Sequence, residues 1–185
     1  MAIVGNLMED RGAANLDAAD HFKAVMSRSP TPVTIVTAIG ESGPQGIVIG
    51  SFVSVSIDPP LIGFFVGRPT RMWQPMAEAD AYCVSVLAED QAALSILFAT
   101  QGIDRFEIAE WEPAGNGAPR LAGAVAWIEA APYSVTEAGD HDLILLEVTA
   151  LRPGRDAGPL VYHRGGYAGV YRPSQPSDHD SADRS

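Results

Sequence analysis

The chain contains a single cysteine, Cys83, among 185 residues, so no disulfide can form within it. Cys83 lies in an apolar, strand-like run, where a buried and inert thiol is expected. No apolar run approaches the 18 or so residues that a membrane-spanning helix needs. The first residues do not pair a basic region with an apolar stretch, so no secretory signal is expected, and a reducing cytoplasm is the simplest compartment. Basic residues are scarce: 12 lysines and arginines face 23 aspartates and glutamates, for a net charge of −11. That balance argues against a broad surface for nucleic acid or for an anionic membrane, although a local basic pocket for a phosphate remains compatible with it.

Several catalytic signatures are missing too. Gly115-Asn116-Gly117 runs on to Arg120 rather than to a third glycine, and no strand leads into it, so there is no dinucleotide fingerprint. There is no G-x-S-x-G elbow and no phosphate-binding P-loop. The histidines His21, His141, His163 and His179 are scattered, and Asp140-His141-Asp142 is too local to hold an ion alone, so no metal site is expected.

What is present is a globular composition, 46% hydrophobic and 19% charged, on a length that suits one domain. Residues 1–15 are small and polar and read as a flexible arm. Residues 174–185, with Asp178, Asp180 and Asp183, read as a disordered acidic tail. Residues 16–173 form the domain between them. A short helix is expected from Asp17, with Phe22, Val25 and Met26 on one stripe and Pro30 and Pro32 ending it. Strands are expected at Val33–Ala38, at Gly46–Ile57 as one long bent strand with Gly50 at a bulge, at Leu61–Val66 and at Tyr82–Leu87. A short helix is placed at Pro69–Ala79 and a second, better one at Asp90–Ala99, with Leu94, Leu97 and Phe98 on one face. After a loop at Glu110–Arg120, further strands are expected at Leu121–Ala130, Tyr133–Glu137, Asp142–Leu151 and Gly166–Tyr171. Many short strands with few helices imply a mainly β antiparallel barrel.

Ser51–Leu61 is the most informative stretch. It alternates hydroxyl and apolar residues and then stops at Asp58-Pro59-Pro60. At period two, Phe52, Ser54 and Ser56 share a face suited to a flat ring with a polar tail, and Val53, Val55 and Ile57 form a face able to bury in a core.

With its surroundings, this stretch resembles the short-chain flavin reductase family. The matching stretches are Phe22–Met26, Thr31–Thr37, Gly46–Leu61, Tyr82–Gln91, Phe98-Ala99, Asp104-Arg105-Phe106 with Trp111, Gly139-Asp140-His141 and Pro159–Tyr162, in order from about Phe22 to Tyr171. The resemblance implies a flavin mononucleotide (FMN)-binding split barrel of antiparallel Greek-key type. It implies a homodimer that reduces FMN, or flavin adenine dinucleotide (FAD), with NADH or NADPH and passes reduced flavin to a monooxygenase. Neither nucleic acid nor membrane is an implied partner.

Residue by residue, Val48, Ile49, Gly50 and Ser51 would run beside the flavin ring, with Ser54 and Ser56 leading toward the ribityl and phosphate end. Arg68 and Thr70 would take the phosphate, a role that suits the arginine fork. Thr34, Ser85, Phe98 and Ala99 lie in matching stretches and complete the cofactor-binding set, and Phe106 would be a wall of the slot. His141 would face the nicotinamide as the catalytic residue, and Tyr167 would line the same mouth. The chain departs from the family pattern at Pro32, Val48, Gly50 and Ser85, where glycine, threonine, asparagine and asparagine are frequent. These departures keep open a flavin-binding split barrel without nicotinamide turnover, one with another redox substrate, or a scaffold without ligand.

Overall fold

The runs rich in valine, isoleucine and threonine do become strands, because branched side chains pack well on a pleated surface. The structure is a computed structural model and describes residues 14–68 and 73–171. The N-terminal arm before residue 14, Thr70 and the acidic tail lie outside the described residues. Helix α1 (Ala14–Met26) precedes β1 (Thr31–Pro32), β2 (Thr34–Gly40), β3 (Gly43–Ile49), β4 (Val53–Ile57) and β5 (Pro60–Gly67). A 3₁₀ turn at Gln74–Met76 leads to β6 (Tyr82–Val86) and α2 (Ala92–Ala99). The remainder is β7 (Trp111–Pro113), β8 (Pro119–Leu121), β9 (Ala126–Ala138), β10 (His141–Pro153), β11 (Val161–His163) and β12 (Gly166–Ala168).

Seven strands pair antiparallel in the order β3-β2-β6-β9-β10-β5-β4. Strands far apart in that order share one core: Ile47 and Ile49 of β3 pack in the same cluster as Ile62, Phe64 and Val66 of β5. The sheet is therefore curled on itself, and the mainly β barrel expected from the sequence is what forms. Trp73 packs into this core, stacked on Tyr82 and edge-on to Phe64, each at 5.7 Å between ring centroids. The other face of the β2–β3–β6 wall carries a second cluster, Val33, Ile35, Leu87, Phe98, Leu121 and Leu160, with Val48 against it. Helix α2 covers that face. A separate three-stranded sheet, β1-β11-β12, stands beside it.

The long bent strand expected at Gly46–Ile57 is two strands, β3 and β4, at opposite ends of the sheet order. Gly50 is accordingly the point where the chain crosses between them, and the bulge lies in β4, between Ser54 and Ser56. The bulge breaks the alternation expected of β4: Ser54 is in register with Ile62 and Ser56 with Leu61, adjacent residues of β5 on opposite faces, so Ser54 and Ser56 do not share a face. Phe52 packs on the core, while Val53 and Val55 are about half exposed and Ile57 is 91% exposed. An edge strand with a bulge has neither an unbroken period of two nor a second layer over its outer face, so alternation in the sequence predicts neither the shared face nor its cover.

The helix expected at Pro69–Ala79 is reduced, among the described residues, to the 3₁₀ turn. The helix expected from Asp17 begins at Ala14, and its stripe of Phe22, Val25 and Met26 is exposed. The strands expected at Leu121–Ala130 and Tyr133–Glu137 are one strand, β9, which takes Pro132 at a register shift against β10, where a missing donor is tolerated. Among the described residues no helix is long and apolar enough to cross a membrane.

Burial makes the fold sensitive to alkali. Removal from water pushes the Cys83 thiol up to about 12 from 9.0, and the Tyr82 phenol up to about 12 from 10.0. Both groups are held neutral in the fold and ionise more readily once unfolded. The stability this confers is complete below pH 9 and is lost as pH rises from 9 toward 12. A thermal-melting series is expected to show Tm falling from about pH 9 upward, and a Cys83→Ala variant should delay the fall to about pH 10. An equally early fall in that variant would assign the loss to other groups.

Candidate active site

β3 ends at Ile49, and Gly50, Ser51 and Phe52 belong to neither β3 nor β4, so their backbone N–H groups stand outside the strand pairing. Beside this break lies a cavity of about 270 Å³. Val48, Ile49 and Gly50 form one wall, and Ser95 and Ala99 of α2 form a second. The β1-β11-β12 sheet closes the third side with Thr31, Pro32, Tyr162 and Tyr167. The two tyrosine rings meet edge to face at 5.4 Å between centroids. Gly50 matters for space: a Cβ there would lie 3.1 Å from Thr31 Oγ1. The cavity is mostly apolar, with a few polar groups at its margin, which is how a site for a flat organic ring is built.

A wider groove of about 630 Å³ runs between α2 and the Ile108–Glu110 segment. Three of its polar side chains are already engaged: Gln91 accepts from Ala88 N–H and donates to Ala122 O, and Arg155 pairs with Asp90. It offers less than the smaller cavity with its free backbone edge.

Charged groups gather at the β9–β10 hairpin. The Arg68 guanidinium lies 3.0 Å from Glu137 and 2.9 Å from Asp142, and its backbone N–H donates to Asp140 O at 3.1 Å. The hydrogen bonds to Glu137 and Asp142 raise the arginine's pKa further. His141 Nδ1 is 2.7 Å from Asp140 Oδ1, and this bond holds the Asp140 carboxyl below the usual carboxylate range. Hairpin and cavity are tied through Ser51. Its hydroxyl accepts from Phe65 N–H at 2.9 Å and donates to Phe65 O at 3.3 Å. Two residues further along β5, about 7 Å at the strand rise, Gly67 stands opposite His141.

The sequence model of the flavin reductase like domain matches residues 26–171. The chain belongs to the flavin reductase-like family. It is 38% identical over 149 residues to a flavin reductase of Pseudomonas putida, covering 80% of this chain and 88% of that one. It is 34% identical over 161 residues to the reductase subunit HsaB of a flavin-dependent monooxygenase of Rhodococcus jostii, covering 86% of this chain and 83% of that one. Its fold matches the NADH:FAD oxidoreductase SgcE6 of Streptomyces globisporus, solved with NAD and FAD fragments. That match has a TM-score of 0.77 at 32% identity and covers 89% of this chain and 97% of that one.

Of the residues the family resemblance implies, Val48, Ile49, Gly50, Ala99 and Tyr167 are brought together on the cavity, and Arg68 and His141 in the hairpin cluster. Others sit behind the wall. Thr34 is buried and donates to Ile49 O at 2.9 Å, which fastens the end of β3. Phe98 is fully buried, edge-on to Phe106 at 5.2 Å, and Phe106 is edge-on to Trp111 at 5.7 Å. These aromatics seat α2 on the barrel. Ser85 is fully buried, its hydroxyl without a partner, in register with Ile35. Three family departures, Pro32, Val48 and Gly50, therefore touch the cavity, and the one at Ser85 does not. Ser54 and Ser56 lie on β4, at the other end of the sheet order, and do not line the cavity. Sequence reasoning missed Ser95 and Thr31. Ser95 carried a usable signal, as the one polar residue in Ala92–Ala99.

Proposed function

We propose that this protein is a flavin reductase: it binds FMN, or FAD, reduces it with NADH or NADPH, and supplies reduced flavin to a separate monooxygenase. The observation that carries the reading is the slot at the end of β3, where an apolar wall, an unpaired backbone edge and an aromatic pair converge. A bound flavin ring supplies the hydride acceptor, so the chain's own task is to bind and orient. Gly50 lets the backbone approach the ring, and Tyr167 faces it. Arg68 is suited to the phosphate, since its present pairs with Glu137 and Asp142 are open to water, which screens them, and an incoming phosphate can compete for the guanidinium. His141, held by Asp140, faces the nicotinamide.

The protein acts as a homodimer on this reading. Phe22, Val25 and Met26 of α1 and Val53, Val55 and Phe65 of the sheet leave apolar surface uncovered in the single chain, as a partner-covered face does. Sedimentation should therefore give a particle of two 19.5 kDa chains.

The reading is tested by titrating the purified protein with FMN, following flavin fluorescence, and then adding NADH and, separately, NADPH without oxygen. Quenching on titration and bleaching of flavin absorbance with either donor are expected. Quenching without bleaching by both would leave a flavin binder with another electron donor, and no quenching would refute the reading.

A further inference from the structure

Ser95 is 1% exposed, lies on α2, and accepts a hydrogen bond from the Tyr167 hydroxyl at 2.9 Å. It is the only direct polar side-chain link found, among the described residues, between α2 and the β11–β12 hairpin, and both residues line the cavity. The hairpin itself is short. Arg164 and Gly165 turn it with φ of 50° and 82°, the two-residue turn in which both central residues take positive φ. Two three-residue strands on such a turn are only marginally stable alone; β1 pairs with β11 and Arg164 N–H donates to Ser27 O, but these ties hold β11 and the turn, and neither joins β12, which carries Tyr167, to α2. Tyr162 meets the Tyr167 ring edge-on but cannot fix how far the hairpin stands from α2. The hydroxyl-to-hydroxyl bond does fix it, because one end is buried in the helix and the other is at the tip of the ring.

We propose that Ser95 is a positioning residue for flavin binding: by holding the Tyr167 hydroxyl it sets the width of the slot between Val48–Gly50 and the tyrosine pair. The inference rests on the flavin reductase reading above and adds a residue outside the family-implied set. It makes Tyr167 act through its ring, as a wall, with the hydroxyl turned away to the helix.

Three variants test it: Ser95→Ala, Tyr167→Phe and the double variant, each titrated with FMN by fluorescence and then assayed for NADH oxidation over a range of FMN concentrations. Tyr167→Phe keeps the ring and removes the donor at a residue 37% exposed, so the fold is retained. Each single change is expected to weaken FMN binding about 3- to 10-fold, the effect of one lost neutral hydrogen bond, and to raise by the same factor the FMN concentration that half-saturates NADH oxidation. The double variant should be no weaker than the worse single one, since both remove the same bond. Unchanged affinity in both single variants would overturn the proposal. So would a loss confined to Tyr167→Phe, which would mean that the hydroxyl serves the ligand directly, and so would multiplied losses in the double variant. If the parent protein itself fails to quench FMN fluorescence, the functional reading falls and the inference with it. Binding by the parent with silent variants removes the inference alone.

Discussion

Replacing Ala99 by phenylalanine is expected to weaken flavin binding by about 10- to 100-fold while leaving the thermal midpoint within a few degrees of the parent. Ala99 stands at the C-terminal end of α2 with its side chain exposed, and it lines the cavity opposite Val48 and Gly50. A benzyl group there finds solvent in the ligand-free protein, so folding does not oppose it. It finds the ring when ligand enters a space of only about 270 Å³. Forcing extra carbons into a filled site costs about 1–3 kcal/mol, which is the stated loss of affinity. Ala93→Phe is the control, because Ala93 is exposed on the same helix but borders the wider groove. FMN titration of the two variants should separate them. Equal affinity in Ala99→Phe and the parent would mean that the flavin does not lie in this cavity.

The sequence carried the barrel because its code is local: branched residues in short runs, closed by proline and glycine, with period two inside them. It also carried Val48–Ser51, Arg68, Ala99, His141 and Tyr167 as residues of interest, through an ordered resemblance that spans the chain. It did not separate residues on the cavity from residues behind it. Thr34, Ser85 and Phe98 lie in the same matching stretches as Ala99 and Gly50, and only packing shows that they face inward. The difference between neighbours is one helical step: Phe98 points into the barrel wall and Ala99 into the slot. The crossover at Gly50 was illegible for a related reason. A chain that leaves one end of a sheet and rejoins the other reads locally like a continuous strand, and only the closure of the barrel brings the two ends together. Ser95 was missed because its partner, Tyr167, is 72 residues away and meets it only after both α2 and the β11–β12 hairpin have docked.

Phe98→Ala should be the most damaging single change in the layer outside the barrel, lowering stability by about 3–5 kcal/mol, the usual cost of removing a buried ring. For a chain of this length that is a fall in Tm of about 6–20 °C, measurable by thermal or urea melting. The ring is fully buried between α2 and β3, and β3 meets it with a glycine: a Cβ on Gly46 would lie 2.6 Å from Phe98 Cε1 and 2.9 Å from Cδ1. Gly46 thus lets α2 approach the barrel closely enough for Ala99 and Ser95 to reach the slot. Gly46→Ala alone should cost about 1–3 kcal/mol, through a contact the ring cannot avoid. In the double variant the new methyl enters the space the ring has vacated, so the combined loss should fall short of the sum of the two. Strict additivity would mean that α2 does not rest on β3 at this point. A shortfall would locate the seat of α2 at Gly46, and FMN titration of Gly46→Ala would then read how far a small outward shift of the helix opens the slot between Ala99 and Gly50.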